Sequence, residues 1–415
     1  MARLTPFSII HPKPEYAASV CAPPYDVVDR QEAHRLAEGN PYSFLRISRS
    51  EIELPKETDP YAPVVYERAR DNLKRWLDQG ILVREPGDCY MIYRQTSGKR
   101  IQTGIVGCAS ISDYETDRIR KHEVTREEKE QDRTQHFTIC NAHTEPVFLT
   151  YRSSHGIDVT IKKWIAEHDC LFDFYASDGV RHQVWLVNEA GAVEVLSMIF
   201  EEVPYLYIAD GHHRAASAVT VARNRRSEGK GSPTRGEEGF LAVCFPTFDL
   251  EIMDYNRLIR DLNKLTVTEL LYTIEQAGFR IKEISEPVRK PAGKGSYAMY
   301  LQRKWYSLQA SEDFHTGDPI ADLDVSILQD RILAPVLGIR DPRTDPRIDF
   351  AGGIHGLQEL KRRVDAGDAA VAFALHPVSM DELLCAADAG QMMPPKSTWF
   401  EPKLASGLFI HALDE

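Results

Sequence analysis

Apolar and polar positions alternate between two periods along the chain. Val65, Ala69, Leu73, Trp76 and Leu77 share one helical face, and Gly80 follows, so the spacing predicts a helix over 62–79. Residues 89–95 and 101–108 read as two strands joined through Thr96-Ser97-Gly98-Lys99, which has hairpin chemistry. The run 125–133 is charged and rich in helix formers, the usual mark of a solvated helix face. Helices are predicted at 157–168 and 193–201, with strands at 172–175 and 183–187 around the turn Ser177-Asp178-Gly179. Residues 205–209 form a short apolar run of the buried-strand type, and 215–222 an alanine-rich helix. A loop at 224–238 and a strand at 240–245 follow. The last third mixes helices at 268–277 and 324–337 with strands at 297–301 and 369–375, and closes on a strand at 409–410. Strands and helices interleave without a strict β-α-β rhythm. The expected class is therefore α/β, or mixed α+β, around a mixed sheet. The expected regions are 1–110, 111–265 and 266–415.

Composition narrows the functional classes. The chain has 415 residues, of which 43% are hydrophobic and 27% charged, enough to bury a core. Fifty Lys+Arg against 62 Asp+Glu leave a net charge of -12. That balance argues against a protein built to grip nucleic acid or an anionic membrane, which needs a basic surface. The seven cysteines are scattered, with no C-x-x-C pair, so neither a disulfide framework nor a zinc ribbon is expected. The N-terminus lacks the basic and apolar segments of a signal peptide, and no apolar run is long enough to span a membrane. A cytoplasmic location is the expectation.

Chemistry is concentrated in a few places. Asp210-Gly211-His212-His213-Arg214 joins the predicted strand at 205–209 to the helix at 215–222. A glycine turn at a helix N-terminus is an anion site, because its N–H groups lack intrahelical acceptors and the helix dipole favours negative charge. The same five residues also fit a plain capped helix, with Asp210 as the N-cap. Arg120-Lys121-His122-Glu123, then Lys129, Asp132 and Arg133, place a carboxylate among basic groups. That pattern suits a general base or magnesium ligand in phosphoryl transfer. Lys396-Ser397-Thr398 offers an amine and two hydroxyls after prolines but lacks the glycines of a P-loop. The turn-like stretch Asn141 to Pro146 carries no assignable role. His122, Glu123, His136, His143, Asp210, His212 and His213 could supply a transition metal, although no H-E-x-x-H spacing occurs.

These motifs together carry a resemblance. Ala22-Pro23-Pro24-Tyr25-Asp26-Val27-Val28, Asn40-Pro41, Phe44-Leu45-Arg46 and His122-Glu123-x-Thr125 occur in order. Lys129-x-x-Asp132-Arg133, Ala209 to Arg214 and Met393 to Phe400 follow them. Over nearly its whole length the chain resembles the prokaryotic domain-of-unknown-function ten-fifteen family. More distantly, the Asp210–Arg214 turn resembles that of the ParB/sulfiredoxin superfamily, where the loop and following helix hold nucleotide phosphates. Its closest pattern is in archaeal free-serine kinases. The resemblance implies a ParB/sulfiredoxin-like nucleotide-binding core over 111–265, Glu123 as catalytic base and Asp210 to Arg214 as the phosphate turn. It also implies Mg²⁺ near Asp210 or Glu123 and a donor that is ATP, ADP, CTP or pyrophosphate. Lys129 and Arg133 would then neutralise transferring charge and His122 would orient Glu123. Asp132, Lys396, Ser397 and Thr398 would be accessory. The expected partners are a small-molecule substrate and a nucleotide, with no nucleic acid or membrane. Two competing readings are a nucleotide-binding regulatory switch and a metal-dependent hydrolase.

Overall fold

The computed structural model describes residues 1–228, 235–286 and 288–414. The chain divides into two compact units, Met1–Leu250 with Pro402–Glu415, and Glu251–Glu401. Among the described residues the first unit is built on a nine-stranded sheet. Its strands are β1 (Leu4–Thr5), β2 (Tyr90–Ser97), β3 (Arg100–Ser110), β4 (Ile119–Arg120), β5 (Val147–Tyr151), β6 (Phe172–Tyr175), β7 (Arg181–Val187), β8 (Leu206–Asp210) and β9 (Gly239–Pro246). The order is β4-β8-β5-β9-β3-β2-β7-β6, and β1 pairs with the end of β3. The β8–β4 and β9–β5 pairs are parallel and the others antiparallel, giving the mixed sheet that the interleaved pattern predicts.

β5 and β9 are buried at every position, as expected of central strands covered on both faces. Five longer helices accompany the sheet: α1 (Pro63–Asp78), α2 (Glu127–Cys140), α3 (His155–Glu167), α4 (Ala190–Phe200) and α5 (His212–Ser227). Ile157, Ile161 and Trp164 of α3, Leu196 and Phe200 of α4, and Ala215, Ala218, Val219 and Ala222 of α5 share one core with Leu149, Leu206, Ile208 and Ala242 of the sheet. A second core gathers Leu73 and Trp76 of α1 with Phe44, Leu45, Ile47 and Ile410.

Two sequence expectations change in detail. The charged run at 125–133 opens α2 with Arg126, Glu127, Glu128 and Gln131 exposed, yet its last two residues, Asp132 and Arg133, are buried, because they pair with each other and with neighbouring polar groups. The predicted loop at 224–238 starts later, since α5 continues to Ser227; residues 229–234 lie outside the described residues.

The second unit carries a six-stranded antiparallel sheet among the described residues. Its strands are β10 (Tyr255–Ile259), β11 (Phe279–Ile284), β12 (Ser296–Leu301), β13 (Lys304–Ala310), β14 (Ile348–Gly352) and β15 (Val371–Leu375), in the order β11-β13-β12-β15-β10-β14. The helix predicted at 324–337 is an α-turn at Asp324–Leu328 followed by a π-turn at Gln329–Leu333.

Candidate functional site

β8 ends in a bulge between Ile208 and Asp210, which breaks the ladder to β5 and turns the chain into α5. Gly211 then occupies the left-handed region at φ +92°, forming the helix N-cap with no side chain to cap it. Arg214 secures the turn from inside. Its guanidinium donates to the Pro146 carbonyl and lies 3.4 Å from Asp210 Oδ2, with only 2% of the side chain exposed. Asp210 is not the N-cap; it meets Arg214 and also Lys403 Nζ at 3.5 Å. Burial opposes the charge of Asp210, but Lys403, Arg214 and the Gly211 N–H hold its carboxyl down at about 2.

The two histidines tie an earlier loop to this turn. The His122 N–H points to His212 Nε2 at 3.5 Å, and the Arg126 N–H donates to His213 Nε2 at 3.0 Å. Between these anchors Glu123 reaches back, its Oε2 3.7 Å from His212 Nδ1. Burial, with His122 adding to it, drives His212 well below the ordinary histidine value, so the ring is neutral. Accepting at Nε2 leaves its proton on Nδ1, the atom that faces Glu123. The His122 ring packs edge-on against His212 with centroids 4.5 Å apart, and burial lowers its pKa to about 4. Glu123 itself is 44% exposed, so its carboxylate is open to a solute.

Residues that the sequence analysis did not assign complete the surroundings. Glu145, fully buried, accepts from the Tyr25 N–H at 3.1 Å and from the Ser406 hydroxyl. It lies between two arginines: Arg133 Nη1 is 3.9 Å from its Oε2, and Arg214 acts on its charge. Desolvation raises its pKa despite both. Arg133 also holds Asp132 through Nε at 3.0 Å and lies 4.0 Å over the Tyr25 ring. Asp26 is exposed, and its charge bears on His213, Arg214 and Glu145, which sets it beside the turn. The Ala22–Asp26 stretch stands among the motifs that carry the family resemblance, and Asn141–Pro146 reads as turn-like backbone. Nothing local marked Lys403 or Ser406.

On its side facing α1, α2 borders a polar cavity of about 150 Å³. Lys129, Asp132 and Arg133 line it with Ser48, Arg49 and Glu51. Lys129 donates to the Tyr61 hydroxyl at 2.9 Å, and Asp132 accepts from the Tyr66 hydroxyl at 2.9 Å. Lys396, Ser397 and Thr398 belong to the second unit, where Ser397 donates to the Pro394 carbonyl at 2.6 Å.

Metal chemistry divides into two cases. No group of three His, Cys, Asp or Glu side chains among the described residues is arranged to hold a metal ion. His136 instead bonds Thr144 at 3.0 Å, and His143 bonds His411 at 3.1 Å, which does not favour the hydrolase reading. Magnesium makes a smaller demand, since it takes one or two carboxylates and completes its shell with phosphate oxygens and water. The ionised Asp210, with Glu123 near the same turn, fits that donor set.

A mixed sheet whose strand bulges into an uncapped glycine turn, with the loop that carries Glu123 tied to it, defines an α/β protein with a candidate anion site. The chain belongs to the DUF1015 family, described as a protein of unknown function, whose model matches residues 4–326. No curated protein matches it. Among solved structures it is similar to a free serine kinase in complex with AMP, at 12% identity and a TM-score of 0.37, covering 75% of this chain and 93% of that one. A conserved hypothetical protein from Pyrococcus furiosus matches at 13% identity and a TM-score of 0.37, over 76% of this chain and 98% of its own. SbnI from Staphylococcus aureus, with a C-terminal truncation, matches at 10% identity and a TM-score of 0.37, over 74% and 87%. No described helix is long and apolar enough to cross a membrane.

Proposed function

We propose that this protein is a small-molecule kinase that moves a phosphoryl group from a nucleotide, or pyrophosphate, to a hydroxyl, with L-serine as the favoured acceptor. One observation carries the reading: the Glu123 carboxylate stands 3.7 Å from His212, inside the glycine turn that opens α5. Phosphoryl transfer depends on positioning and on neutralising charge more than on covalent chemistry. Gly211 lets a phosphate approach the backbone, and the first N–H groups of α5 point at it with the helix dipole behind them. Glu123 accepts the proton of the acceptor hydroxyl as the new P–O bond forms and the donor's bridging P–O bond breaks. The His212 Nδ1–H faces Glu123, and the buried Arg214 keeps the turn rigid. Mg²⁺, for which Asp210 and Glu123 are the candidate ligands, would supply charge neutralisation on the phosphates.

The test is direct. Purified protein is incubated with Mg²⁺, L-serine and, in turn, ATP, ADP, CTP or pyrophosphate, and O-phosphoserine is measured. Formation with one donor supports the kinase. Tight nucleotide binding with no transfer to any hydroxyl acceptor refutes it in favour of a regulatory switch.

A further inference from the structure

The polar cavity beside α2 has a wall that the fold leaves incomplete. The Ser48 hydroxyl and Arg133 Nη1 are buried without a hydrogen-bond partner. Buried donors are nearly always satisfied in native proteins, so the Ser48 hydroxyl points to a missing occupant, while Arg133 Nη1 has only Glu145 Oε2 near it, at 3.9 Å. The lining carries charges of both signs. Arg49 pairs with Glu51 at 2.9 Å, Arg133 pairs with Asp132 at 2.9 Å, and Lys129 adds a further cation. Three cations against two carboxylates leave the lining one positive charge in excess.

Size argues against a whole nucleotide. Drug-sized ligands occupy pockets of about 300–1,000 Å³. At about 30 Å³ per water, 150 Å³ admits a molecule of roughly five to eight non-hydrogen atoms. An adenine nucleotide is too large, whereas a small amino acid fits. We infer that this cavity, walled by Ser48, Arg49, Glu51, Lys129, Asp132 and Arg133, binds a small zwitterionic amino acid. The carboxylate takes the Arg49, Lys129 and Arg133 side, and the ammonium takes the Glu51 and Asp132 side. The Ser48 hydroxyl donates to a ligand oxygen. The choice of L-serine as the ligand to test rests on the kinase reading.

The experiment is calorimetric titration of the full chain, without nucleotide, using L-serine, ethanolamine (no carboxylate) and glycolate (no amine). Serine is expected to bind, with each analogue at least about tenfold weaker, the loss of one charged hydrogen-bonding group. Ser48→Ala removes a hydroxyl with no protein partner, so it leaves the fold intact and weakens serine about five- to tenfold. Lys129→Met weakens it about ten- to a hundredfold. Absence of serine binding, or unchanged affinity in both variants, overturns the inference. Binding with these losses but no O-phosphoserine from any donor upholds the cavity and removes the kinase. O-phosphoserine formed by both variants at unchanged KM for serine upholds the kinase and removes the cavity.

Discussion

Gly211→Ala separates the two demands that the turn makes on its glycine. The first is conformational: at φ +92° an L-residue is strained by about 1 kcal/mol. The second is spatial, since an added Cβ would sit 2.9 Å from Arg214 Nε and 3.0 Å from its Cζ. That guanidinium cannot swing away cheaply, because it is buried and bonded to the Pro146 carbonyl beside Asp210. Moving it leaves buried polar groups unsatisfied, at about 1–3 kcal/mol. The expected loss is about 2–4 kcal/mol. Gly179→Ala is the matched control in the same unit: its φ is +83°, but nothing lies within 4 Å of the added carbon. It should lose only about 1 kcal/mol. By calorimetry at about 2–4 °C per kcal/mol, Gly211→Ala should melt several degrees below Gly179→Ala. Equal destabilisation of the two variants would refute the proposed clamp by Arg214.

Other changes probe separate parts. Glu123→Gln should lower phosphoryl transfer about 10²–10⁴-fold while nucleotide affinity, read by calorimetry, survives; full turnover would remove Glu123 as the base. Glu145→Gln removes the carboxylate between Arg133 and Arg214, each of which keeps its own carboxylate partner in Asp132 or Asp210, and should cost about 1–3 kcal/mol in urea unfolding. His122 has its folded pKa depressed to about 4 against an ordinary value near 6.5, so the unfolded chain binds a proton first as pH falls. Its neutral form therefore favours folding above about pH 6.5, and that contribution is lost on acidification towards pH 4. His122→Gln should flatten the stability–pH slope in this window by up to about 1.4 kcal/mol per unit; an unchanged slope would contradict the burial.

Much of this architecture is legible in the residues because local chemistry and tertiary context agree. The predicted strand at 172–175 matches β6, and the helix at 62–79 differs from α1 only at its ends, since both have strong patterns and clear stops. The charged run opening α2 misleads only at its end, because periodicity reports apolar burial and is blind to buried ion pairs such as Asp132–Arg133. At the site, Asp210 to Arg214 stand out as a glycine turn between a strand and a helix. Their inward orientation does not, because Arg214 is fixed by a carbonyl from Pro146, distant in sequence. Lys403 and Ser406 carry no local signal at all: their significance exists only once the chain returns to β8 and Glu145.

That return has a consequence for biosynthesis. Pro402–Glu415 is part of the first unit but is translated after all of Glu251–Glu401. Lys403, the partner of Asp210, and Ser406, the partner of Glu145, are therefore made after the second unit, so the first unit emerges with Glu145 between two arginines and without its Ser406 hydroxyl. Cutting the chain between the second unit and Pro402 would take Lys403 from Asp210 while sparing the entire second unit.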